Sequence, residues 1–130
     1  MDRETIEVAV VLDRDHQVLF WHRPPDATSV ALPDSRTLWD VLWAERERLG
    51  GVAHSHPGSG EPWPSREDLT TFAACEAGLG RRLGWWIATA DRVARFDWIG
   101  PARYAYSGRG PTTAAETAAW LEPLRGWSAR

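Results

Sequence analysis

Apolar residues fall at both parities between Thr5 and Leu12, where Ile6, Val8, Val10, Val11 and Leu12 crowd together. That pattern predicts an interior strand with no wet face. Asp13 to His16 is polar and reads as a turn, and alternation returns from Gln17 to His22, so the two segments predict a β-hairpin. His16 at its tip and His22 at a strand end are read as exposed polar positions without a metal role. Residues 23–33 hold three prolines and no period, which predicts a loop. Helical spacing then begins after Asp34 or Ser35, with Leu38, Val41, Leu42, Glu45 and Leu49 in step and Gly50-Gly51 to stop the helix. Trp39 and Trp43 make a second stripe on it, read as core. Gly51 to Ser55 predicts a short buried strand, and Ser65 to about Ala77 a helix that ends at Gly78 or Gly80. Leu83–Ala90 and Val93–Ile99 predict a hairpin across Asp91-Arg92, and Arg103–Ser107 a last strand. Thr113 with Glu116 matches a capping box opening a final helix through about Leu124. The order β-β-α-β-α-β-β-β-α is that of an α/β chain of the α+β type, a mixed sheet with packed helices in one domain over residues 1–130.

Composition narrows the partners more than the fold. A chain of 130 residues suits a single modest core. Its net charge of −3 and pI near 5.8 lack the basic footprint of a nucleic-acid binder. No stretch reads as a signal peptide or a membrane span, so a soluble, cytoplasmic protein without a membrane partner is expected. Cys75, the only cysteine, forbids an intramolecular disulfide and is read as a small packing residue. All 15 basic residues are arginine. Codon bias is the simpler account, although the absence of any lysine amine would also suit a protein working beside a conjugation system. The acidic excess precedes Arg81 and a basic excess follows it, which offers the C-terminal part to a partner with an acidic patch.

The chemistry gathers at Val52-Ala53-His54-Ser55-His56-Pro57 and Ser65-Arg66-Glu67-Asp68. Alternation along a strand puts His54 and His56 on one face and Ser55 on the other. Two adjacent imidazoles suit zinc, and Asp68, brought in at the start of the next helix, would be a third protein ligand. Three protein ligands with one open position is how catalytic zinc sites are built, water being the fourth ligand. A His-x-His alone is usually no metal site, and Ser65 with an acid three residues on is by itself a helix cap; their conjunction favours the metal reading. A charged side chain inside an apolar strand is costly without a purpose, and this singles out Glu7 over Glu4, which lies nearer the free end.

The run His54-Ser55-His56-Pro57 followed by Ser65-x-x-Asp68 resembles the signature of the JAMM (JAB1/MPN/Mov34) metallopeptidases. The string from Pro57 to Asp68 is also similar to the RadC-like branch of that superfamily. Eleven residues, 57 to 67, separate His56 from Asp68, one more than the family's usual spacing, and the addition falls in a Gly/Pro loop that can absorb it. The resemblance implies a JAB1/MPN, cytidine deaminase-like layout and a zinc held by His54, His56 and Asp68. It also implies a general-base Glu on the first strand, best matched by Glu7 ahead of Val8-Ala9-Val10-Val11-Leu12, although Asp13-Arg14 stands where the family has Gly-Leu-Leu-Gly. By the same resemblance the Ser65 hydroxyl bonds the oxyanion or the attacking water. The implied activity is that of a zinc isopeptidase or peptidase cutting at the tail of a ubiquitin-like or sulfur-carrier protein, with an E1-like enzyme as a partner in the pathway. Trp63 is placed either along the substrate groove or packed on the helix. The competing readings are a RadC-like protein with a DNA-linked role and a catalytically inactive binding or scaffold module.

Overall fold

The computed structural model describes residues 7–23, 36–109 and 118–128. Among these described residues, six strands and three helices follow in the predicted order. They are β1 (Ala9–Asp13), β2 (Val18–His22), α1 (Arg36–Ala44), β3 (Leu49–Ser55), α2 (Arg66–Leu79), β4 (Gly84–Ala88), β5 (Val93–Trp98), β6 (Tyr106–Arg109) and α3 (Leu121–Ser128). The strands form one sheet in the order β2-β1-β3-β4-β5-β6. Every neighbouring pair is antiparallel except β3 and β4, which α2 joins as a crossover. The fold is therefore an α+β arrangement around a six-stranded mixed sheet.

The two parities of β1 explain its unbroken apolar run. Ala9 and Val11 pack with Val52, Trp85 and Ile87 under Leu38 and Leu42 of α1 and Phe72 of α2. Val8, Val10 and Leu12 pack on the opposite face with Ala53, Trp86 and Ala88 against Trp120 and with Leu121 and Leu124 of α3. Both faces of the sheet are covered, so β1 needs no polar parity. No helix among the described residues is long and apolar enough to cross a membrane.

Four boundaries and three burials differ from the sequence expectations. Helix α1 stops at Ala44, and Leu49, Gly50 and Gly51 belong to β3. A Cβ on Gly50 would run into the carbonyl of Asp13, and one on Gly51 into the carbonyl of Gly84. The two glycines thus serve close backbone approach within the sheet, not a helix stop. The last helix starts at Leu121 and runs to Ser128. Pro123 is tolerated only in a helix's first turn, so a helix could not run through it from further upstream; residues 113–116 lie outside the described set, as do the cap candidates Asp34 and Ser35 and most of the 23–33 loop. Strand β6 begins at Tyr106, leaving Tyr104 43% exposed in the preceding loop. Strand β1 begins its ladder at Ala9, with Glu7 and Val8 extending past it. Trp39 packs on the core, but Trp43 stacks on it from outside, 45% exposed, under the Arg46 guanidinium. His22 is buried, and burial alone holds its pKa below the ordinary value. His16 takes a left-handed turn conformation at φ 64° and sets its ring edge-on to Trp86.

Helix α2 carries the fold's main polar anchor. Glu76, 3% exposed, accepts hydrogen bonds from Leu83 N at 2.9 Å, Trp85 Nε1 at 3.0 Å and Arg82 Nη1 at 3.0 Å, and from the Tyr106 hydroxyl. These tie the C-terminal half of the helix to β4 and β6. Glu76→Ala should destabilise the protein by about 3 kcal/mol, because two buried donors lose their acceptor while the half-exposed Arg82 can rehydrate. Urea unfolding measures this, and an unchanged midpoint would mean that the network contributes nothing net.

Candidate metal centre and active site

Strand β3 ends where its histidines begin to matter. Val52 and His54 face the α1/α2 side while Ala53 and Ser55 face α3, as alternation requires. His56 lies one residue beyond the strand but keeps its course, because its amide donates to Ala88 O at 2.8 Å on β4. The His54 and His56 Nε2 atoms come within 3.0 Å of each other. His54 is buried with its ring edge toward Phe72, which itself stacks on Trp85; His56 is partly open.

Asp68 reaches the pair because Ser65 starts α2. Ser65 is the N-cap: its Oγ accepts from Asp68 N at 3.1 Å, and its own amide donates to Asp68 Oδ2 at 2.9 Å. The capping box is built from the proposed ligand itself, so one device both begins the helix and fixes the carboxylate. Asp68 Oδ2 lies 2.8 Å from His56 Nε2, and Oδ1 lies 3.3 Å from His54 Nε2. The extra loop residue ahead of the helix does not displace Asp68.

Residues 58–61 of that loop are tied elsewhere. Gly58 N donates to Ser128 O and Ala90 N to Gly58 O, each at 2.8 Å. Gly60 N donates to Asp91 Oδ1, Thr89 Oγ1 donates to Gly60 O, and Glu61 pairs with Arg92. Trp63 stands 66% exposed near Phe96. It is placed on the surface and not packed down.

Glu7 completes the cluster from the neighbouring strand. Ala9 pairs with His54, and Glu7 shares Ala9's parity, so it points to the same face just past the end of the ladder. Its Oε1 lies 3.9 Å from Nε2 of each histidine, farther than either Asp68 oxygen. Together Glu7, His54, His56 and Asp68 offer four ligand atoms within 4.8 Å of one another. Glu4 lies outside the described residues.

The electrostatics separate these groups. Burial, helped by the charge of Asp68 and opposed by His56, pushes the Glu7 carboxyl up to about 7. Burial would also raise Asp68, but hydrogen bonds to His54 and His56, with the Ser65 amide, outweigh it and hold that carboxyl well below the usual range. Burial lowers the His54 pKa against the pull of Asp68, leaving a neutral ring with a nitrogen lone pair. One ionised carboxylate and an unprotonated imidazole are what a divalent cation needs. Ligand atoms around tetrahedral zinc lie about 3.3 Å apart, given bonds of about 2.0–2.1 Å. The separations of 2.8, 3.0 and 3.3 Å among His54, His56 and Asp68 fit that ion. Zinc held there would supply Lewis acidity, polarising a carbonyl and acidifying water. Glu7 stands close enough to move a proton beside it, and Ser65, whose oxygen serves the cap, keeps its hydroxyl hydrogen for another acceptor.

Sequence reasoning passed over two contributors. Phe72 of α2 walls the His54 ring. Ser55 was set aside because it faces away from the metal ligands; its hydroxyl accepts from the Val8 amide at 3.0 Å. The four-residue spacing from Asp68 to Phe72, which puts both on one face of α2, is the signal for the first, and no local signal marks the second.

A mixed sheet that brings two histidines from a strand end and an aspartate from a capped helix to one point has the layout of a JAB-type metal domain. The family model described as prokaryotic homologs of the JAB domain matches residues 2–100, and the chain belongs to that family. Comparison with curated proteins gives no match.

Proposed function

We propose that this protein is a zinc-dependent isopeptidase or peptidase that hydrolyses an amide at the tail of a ubiquitin-like or sulfur-carrier protein, with Glu7 as general base. The observation that carries the proposal is the position of Glu7, buried with its carboxyl raised to about 7 and equidistant, at 3.9 Å, from both ring nitrogens. A base poised near neutrality beside a zinc-type ligand set is matched to proton transfer from water to a departing amine. Ser65 would donate to the developing oxyanion, a contact typically worth about 3 kcal/mol. The complete four-residue cluster supports an enzyme over a scaffold module, and the acidic balance of the chain supports a protein substrate over DNA. Cytoplasmic action and an E1-like enzyme in the same pathway belong to the same reading.

A Gly-rich tail entering as an added strand beside the site could not pair with β3 itself, which β1 and β4 flank. The tail would cross the strand ends at the partly open His56, along the loop that exposes Trp63. Ordering a flexible tail costs entropy that contacts remote from the scissile bond must offset. A ubiquitin-like protein joined through its Gly-rich tail to a target should therefore be cut with a far higher kcat/KM than the free tail peptide. Equal values would turn the proposal toward a general small-peptide hydrolase.

A further inference from the structure

Ser55 sits between the two metal-site histidines, 1% exposed and facing away from them. Regular β1–β3 pairing ends at Ala9 and His54. One step further the Ser55 amide still donates to Val8 O at 2.9 Å, but the return bond is different: Val8 N donates to Ser55 Oγ at 3.0 Å. A side chain has taken the place of the next backbone acceptor. The same hydroxyl lies 3.5 Å from Val8 O, so it addresses both polar groups of one buried residue. Val8 N belongs to the peptide bond that joins Glu7 to Val8. Fixing that amide fixes the plane from which the Glu7 side chain departs, at the place where the ladder no longer does so.

We infer that Ser55 is a positioning residue for Glu7, locking the strand that carries the base to the strand that carries the histidines. The inference rests on the reading of Glu7 as base. Glu7 gains its geometry from its equal 3.9 Å approach to the two ring nitrogens, and no hydrogen bond among the described residues holds its carboxylate. Its aim therefore depends on the backbone behind it. A displacement of about 1 Å at such a group costs about a hundredfold in rate.

The test uses Ser55→Ala and Ser55→Thr in the full chain, with a ubiquitin-like protein joined through its tail to a reporter as substrate. Ser55→Ala should keep its zinc content and its KM while kcat per folded, zinc-loaded chain falls about a hundredfold. Ser55→Thr, which restores a hydroxyl, should recover most of it. In a Glu7→Gln background Ser55→Ala should add no further loss, because it acts through the group already removed. A purely structural Ser55 would lower the folded fraction and leave kcat per folded chain unchanged, which would overturn the inference. If Ser55→Ala turns over normally while Glu7→Gln is inactive, the positioning role fails and the base stands; if Glu7→Gln is active, the base reading itself fails. Hydrogen exchange at the Val8 amide of the unsubstituted protein gives a check that needs no folded variant. Strong protection is expected, and rapid exchange would overturn the inference.

Discussion

Glu7→Gln should leave the fold and the bound zinc in place and remove turnover by about two to four orders of magnitude, the usual contribution of a positioned general base. Glutamine matches glutamate in size, so the buried position beside Ala9 and His54 keeps its packing. It also removes a carboxylate that burial and Asp68 both disfavour, so the metal-free variant should be no less stable than the parent. Asp68, not Glu7, makes the close contacts with the histidines at 2.8 and 3.3 Å, which is why zinc should survive the change. Glu4→Gln should be nearly silent. Steady-state kinetics with thermal melting and metal content on the same samples check the set. Reversed results for the two glutamates would move the base to Glu4, and silence at both would remove the general-base mechanism.

Much of this site was legible along the chain because its devices are local. Two histidines at i and i+2 on a strand must share a face, and Ser65 with Asp68 at the third position is a cap whatever else it does. The doubled apolar parity of β1 also foretold a sheet covered on both sides. What escaped reading depends on distant partners. Gly50 and Gly51 carry the same local chemistry as a helix stop, and only the approach of Asp13 and Gly84 shows that they are strand residues. Pro123 was the overlooked local signal that sets the start of α3. His22 looked like an exposed strand end and is buried. The loop from Gly58 to Glu61 read as slack, yet Asp91, Arg92 and Ser128 secure it across long sequence separations. Ser55 was legible as facing away from the metal, and its bond to Val8, 47 residues earlier, was not.

Removal of a histidine should have the second large effect. His54 is 2% exposed and loses ordinary basicity through burial, so without a cation its nitrogen faces His56 and Asp68 in a crowded polar cluster. Zinc bound there would satisfy all three groups at once. A ligand that binds only the folded state stabilises it by about 4 kcal/mol at a thousandfold excess over its dissociation constant, so added zinc should raise the melting temperature of the parent and leave His56→Ala nearly unmoved. The most direct measurement is the zinc content of protein purified without chelator, for the parent chain and for His56→Ala. The account predicts one zinc per parent chain and a large loss in the variant. A ratio well below one that does not rise on adding zinc, or one that His56→Ala leaves unchanged, would contradict it.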